Sequence, residues 1–178
     1  MQLTGWNGDQ QNVNKYGEAY VRLNEPPYAA NTRGQEFSVY MTATPGGVGN
    51  VFAYLANTST NVFVVDTVEL NCVAAEMFNL SVHKAGVTGG ASASSAAVSM
   101  SPGYATSNVP FDAQYAAALT LGDAAPVIVG LSSVTAAKGT TSWTPASRVR
   151  LMPGMAMSVK ALVSGNAVQV VFRGFVEC

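Results

Sequence analysis

The sequence predicts an all-β chain: an antiparallel β-sandwich, a jelly roll of about eight strands, preceded by an extended N-terminal arm. Three observations carry that expectation. Apolar and polar residues alternate with a period of two in run after run, as half-buried strands require. Turn residues separate the runs at intervals of roughly 10–15 residues. The last quarter of the chain reads as a long hairpin, and almost no segment holds a helical period.

The arm spans residues 1–35 and the sandwich domain residues 36–178. The arm is rich in Asn, Gln and Gly, contains Pro26-Pro27, and shows no strand or helix period beyond Ala19–Leu23. Trp6, Tyr16, Tyr20 and Tyr28 punctuate it. Aromatics on such a segment either anchor it on a partner surface or fold it back on its own domain.

From Glu36 the texture changes: Phe37, Val39, Met41 and Ala43 alternate with Ser38, Tyr40 and Thr42 up to Pro45-Gly46-Gly47. Val51–Leu55 is the next apolar run, followed by a polar turn over Asn57–Asn61. Val62–Cys72 is rich in β-branched residues and is expected to bulge near Asp66. Phe78, Leu80 and Val82 form the apolar face of a fourth strand, with Asn79, Ser81 and His83 opposite. Ala, Gly and Ser dominate residues 85–108, which read as a long mobile loop. Phe111–Leu121 fits two patterns, since Phe111, Tyr115 and Leu119 have helical spacing while Ala113, Ala117 and Leu121 continue a strand alternation. Pro126–Leu131 reads as a short buried strand. Met155, Met157, Val159, Ala161 and Val163 alternate, Ser164-Gly165-Asn166 turns the chain, and Val168, Val170, Phe172 and Val176 alternate back as a hairpin. Immunoglobulin-type sandwiches are usually nearer ~100 residues with shorter loops, which favours the jelly roll.

Composition excludes several classes. The chain has 178 residues, of which 9 are Lys or Arg and 10 are Asp or Glu, so only 11% are charged; a typical soluble domain carries about 25%. No apolar run reaches the ~18 residues a membrane helix needs. Leu, Ile, Val and Phe number 42, too many for a disordered chain. A net charge of −1, with Arg148 and Arg150 as the densest basic cluster, argues against nucleic acid and against an anionic membrane surface. A compact monomer of this mass exposes roughly 8,000 Å², so its charges are spread thinly. Such a surface is expected to associate with itself or a partner over much of its area. Residues Met1–Gln10 lack a basic n-region and an apolar h-region, so no secretory signal is expected. Cys72 and Cys178 match no metal or redox spacing; a buried small hydrophobe and a terminal free thiol are expected, rather than a disulfide, in a reducing cytosol.

No constellation points to an enzyme, and neither a cofactor nor a metal is expected. His83 is the one histidine, on the polar face of its strand two residues from Ser81, and no Gly-x-Ser-x-Gly elbow accompanies it. It reads as a surface or interface residue. Asp66, Glu69 and Glu76 do not match a calcium loop and read as solvated strand and turn residues. Gly46-Gly47-Val48-Gly49 lacks the Lys-Ser/Thr step of a phosphate loop and is a turn. Asn57-Thr-Ser59 and Asn79-Leu-Ser81 match a glycosylation sequon that carries no weight without a secretory route. Trp143, in the stretch Gly139–Ala146 read as a loop, has three readings: stacking on a sugar ring, filling a partner's pocket, or capping its own sandwich. Trp143 and the four arm aromatics are the candidate partner-interface residues.

Two stretches carry a resemblance. One is Phe52-Ala-Tyr-Leu-Ala-Asn-Thr-Ser-Thr-Asn-Val-Phe-Val-Val-Asp66. The other is Leu151-Met-Pro-Gly-Met155 with the hairpin that follows and the closing Val168-Gln-Val-Val-Phe-Arg-Gly-Phe-Val-Glu177. Together they resemble small bacteriophage virion proteins of the capsid decoration or cement type. In that group a Pro-Gly turn introduces the last hairpin and a carboxylate often closes it, a place Glu177 loosely fills. Residues 1–35 and 85–108 match nothing in the group. The resemblance implies a jelly roll that trimerises and a non-enzymatic structural role on the outer head surface. Its partners would be further copies of itself and the major capsid protein or another virion protein, after synthesis in the host cytoplasm. The alternative is a glycan- or receptor-binding head of a viral fibre or spike, with Trp143 and neighbouring Thr and Ser residues in a groove. A third option, a hydrolase built on His83, requires a pocket that brings a nucleophile within hydrogen-bond reach of the ring.

Overall fold

In a computed structural model of the chain, residues 36–92, 110–123, 125–135, 139–145, 148–163 and 165–177 are described, together with the backbone of three short strands nearer the N-terminus. These three, β1 (Leu3–Thr4), β2 (Gln10–Val13) and β3 (Ala19–Tyr20), fall within the stretch expected as an arm. They form an antiparallel sheet in which Leu3 faces Gln11 and Tyr20 faces Asn12.

The sandwich follows in chain order as β4 (Glu36–Ala43), β5 (Val51–Asn57), β6 (Val62–Cys72), β7 (Glu76–Lys84), β8 (Val87–Thr88), β9 (Ala91–Ser92), β10 (Phe111–Leu121), β11 (Val127–Val134), β12 (Gly139–Trp143), β13 (Val149–Leu151), β14 (Met155–Ala161) and β15 (Val168–Glu177). One sheet has the order β11-β7-β14-β5-β10-β8, with β9 also on β10; the other has the order β12-β6-β15-β4, with β13 also on β6. All of these pairings are antiparallel. They are also nested: β4 pairs with β15, β5 with β14, β6 with β12 and β13, and β7 with β11. A chain folded in half and then wrapped gives this order, which is that of a jelly roll. With β12 and β13 sharing one place beside β6, eight jelly-roll positions are filled; β8, β9 and β10 are additions at one edge.

The alternation along β4 is realised, with Phe37, Val39, Met41 and Ala43 buried. In β6 the expected bulge is present. Arg173 of β15 faces Thr67 and Gly174 faces Val65, so Asp66 is the extra residue. The side-chain phase changes there: Phe63 and Val65 before it, and Val68, Leu70 and Cys72 after it, all reach the same core. Cys72 is a buried free thiol. A second shift, between Val159 and Lys160 of β14, leaves Phe52 as the extra residue of β5. Phe52 thereby packs inward with Phe78, ring centroids 6.0 Å apart. Asn57, of the first sequon, is buried and holds the β5–β6 turn. Its Nδ2 donates to the carbonyls of Asn61 and Leu151, and its Oδ1 accepts from the amide and hydroxyl of Ser59.

Four local expectations are corrected and an open one is resolved. Met155–Ala161 and Val168–Glu177 are not a hairpin: β14 pairs with β5 and β7 and β15 with β4 and β6, so the two strands belong to different sheets. Phe111–Leu121 is a strand, and its helical spacing has a specific origin. Phe111, Ala113 and Tyr115 face the core, then the register shifts between Tyr115 and Leu119, and Leu119 joins Tyr54, Ala56 and Ala156 on the opposite face. Within 85–108, residues Val87 and Ala91 begin two short strands on β10. Gly86 and Gly89 adopt positive φ of 141° and 86° there, a conformation glycine allows. β11 is an edge strand rather than a buried one: Val127, Ile128 and Leu131 are 65%, 57% and 63% exposed. Trp143 ends a strand opposite Val68 instead of lying in a loop.

Gly174 sits where the Asp66 bulge pushes backbone toward β15. A Cβ at this position would run into the Val64 carbonyl oxygen and come within 2.9 Å of the Phe37 ring. Gly174→Ala should therefore lower the unfolding free energy by about 1–3 kcal/mol or more, read from the urea midpoint. Gly47→Ala, whose added carbon meets nothing within 4 Å, should leave that midpoint unchanged or slightly raised.

Candidate functional site

Trp143 and β11 together form the open side of the sandwich. β11 belongs to one sheet and β12 to the other, and the indole of Trp143 crosses between them to lie on Gly130. A Cβ at Gly130 would collide with Cε2, Nε1 and Cζ2 of that ring, so the missing side chain is what admits it. Ser132 Oγ and Thr141 Oγ1, 3.2 Å apart, join the same two strands. The partly buried indole also packs against the main core, and it thus helps close its own sandwich. Of the arm aromatics, Trp6, Tyr16 and Tyr28 lie outside the described residues. Tyr20 is placed in β3 by its backbone alone.

Beside the Trp143 seam, β11 presents apolar side chains to solvent. Val127, Ile128, Val129 and Leu131 are four of the ten exposed large hydrophobics among the described residues. β11 ends the sheet, so its outer backbone edge pairs with no described strand. Ile128 and Leu131 face the same side as their partners Ser81 and Asn79 on β7. Monomeric proteins blunt such edges with charge, proline or bulges. Here Pro126 directly precedes the strand and one bulge, at Val129 between Ile128 and Gly130, is present, while residues 124–137 carry no charge. A continuous apolar run is the usual mark of a strand covered on both faces; in β11, Val127, Ile128 and Leu131 are left exposed.

Six charged residues gather on the outward face of the other sheet, where they cancel. Arg148 pairs with Asp66 at 3.0 Å, Arg150 with Glu177 at 2.8 Å and Arg173 with Glu69 at 3.1 Å. These exposed pairs add about 0–1 kcal/mol each. Arg148 also lies over the Phe175 ring, 5.5 Å from its centroid. Asp66 and Glu69 therefore serve as ion-pair partners. Glu76, expected as solvated, is buried; its Oε1 accepts from the amides of Met77 and Val163. Among the described residues no three His, Cys, Asp or Glu converge as a metal site.

His83 is likewise buried, at 2% exposure, and not the surface residue expected. It points outward from its sheet but is packed with Tyr54, ring centroids 5.8 Å apart, whose phenol oxygen accepts the Gly86 amide at 2.8 Å. His83 Nδ1 lies 2.9 Å from the Lys84 carbonyl. A carbonyl only accepts, so Nδ1 carries a proton and donates; Nε2 shares a hydrogen bond of 3.0 Å with the Ser158 hydroxyl and is its acceptor in the neutral ring. Sequence reasoning chose Ser81 as the neighbour and missed Ser158, which β14 places between Ser81 of β7 and Tyr54 of β5. A hydroxyl donating to an oriented imidazole is the relation a nucleophile and base require. Ser158 is only 1% exposed, however, so the group works as a satisfied polar cluster. Burial raises the Tyr54 phenol against the pull of the Gly86 amide. Asp123 is held below the usual aspartate range because its carboxylate accepts the Lys84 amide and then the Ala125 amide.

Two measurements check this cluster. Ser158→Ala leaves a buried imidazole acceptor without its donor and should lower stability by about 1–3 kcal/mol in urea unfolding; an unchanged midpoint would assign the ring another partner. The depressed Asp123 contributes stability above the ordinary aspartate pKa, and that contribution fades as pH falls through the lower folded value. The Lys84 amide resonance should shift with a midpoint below the ordinary aspartate range, and Asp123→Ala should abolish the shift.

No protein-family model matches this chain, and no curated protein sequence matches it.

Proposed function

We propose that the chain is a non-enzymatic structural subunit of a bacteriophage virion: a capsid decoration or cement protein that seats on the outer head surface as a homotrimer and braces the shell against the pressure of packaged DNA. One observation carries the reading. A jelly roll with few charges presents an uncharged, apolar strand at an open sheet edge, and such a surface calls for another protein to cover it. The stretches that resemble decoration proteins support it by their place in the fold. Phe52–Asp66 supplies most of β5, the following turn and the first part of β6, while Val168–Glu177 is β15. These strands occupy the interior of both sheets, with β14 beside β5 and β15 beside β6. A seat on the major capsid protein needs no cofactor, no nucleic acid and no membrane.

The alternative, a glycan- or receptor-binding head, requires an indole free to stack on a sugar. Trp143 lies on Gly130, which favours the first reading. An enzyme would have its best candidate in Ser158 and His83, where burial keeps substrate from the hydroxyl.

Immunogold labelling of intact particles from the culture that produces the chain tests the proposal. Label spread over the head surface is the expected result; label confined to tail tips, or absent from particles, overturns it. Light scattering of the purified protein should report three copies of 18.4 kDa, about 55 kDa.

A further inference from the structure

We draw no further inference here: the strongest candidate, the apolar edge strand β11 with Val127, Ile128, Val129 and Leu131 exposed beside the Trp143 seam, carries nothing because nothing in the structure shows what covers it.

Discussion

A strand turns successive side chains to opposite faces, so a long strand serves one core only while it stays in phase with it. β6, at 11 residues, is the strand on which this constraint bears hardest, because it carries β12 and β13 on one edge and the whole of β15 on the other. The extra residue at Asp66 resets the phase, and Phe63, Val65, Val68, Leu70 and Cys72 all reach the interior. Burying such side chains is worth about 1.5–3 kcal/mol each for the larger ones. Without the reset, one half of β6 would face water. The consequences spread outward from there. Backbone pushed toward β15 leaves room only for glycine at position 174, and the Asp66 carboxylate, turned out of the sheet, pairs with Arg148, which in turn lies over Phe175.

The opposite sheet solves a different problem. Its outward face is itself partly buried, around Tyr54, Ala56, Leu119 and Ala156, so polar groups on that face need partners or they weaken the fold. His83 takes the Lys84 carbonyl and the Ser158 hydroxyl, while Tyr54 takes the Gly86 amide. Asp123, at the other side of the same turn, holds Lys84 and Ala125. These bonds tie the start of the 85–92 segment to the sheet it covers.

What the sequence made legible was whatever depends on local alternation. β4, β14 and β15 show it directly, and the Asp66 bulge was legible because a carboxylate interrupts a valine-rich run; that β14 and β15 join different sheets instead of pairing as a hairpin was not. Features that depend on neighbours across the sheet were not. Leu119 follows Tyr115 by four residues, and only the register against β5 reveals that it changes face instead of continuing a helix. Ser158 is 75 positions from His83, and nothing in either segment announces the other. β11 was misjudged for a related reason: an apolar run does not distinguish a strand inside a sheet from one at its edge. Of the candidate interface residues, Trp143 was conspicuous as a residue type, yet its position on Gly130 follows from the way the two sheets meet at the open side.

That last distinction bears on the low charge of the whole molecule. Charges that are scarce but evenly spread would keep every face weakly solvated and indifferent to partners. Instead three cations are matched with three carboxylates on one sheet, while an edge of the other shows four exposed apolar side chains. The first face is neutral by pairing, with each charged side chain still partly exposed, and it gains little from being covered. The second is neutral by composition, and covering it releases apolar surface from water. The two kinds of neutrality thus make the faces unequal: one carries paired charges, and the β11 edge carries exposed apolar surface.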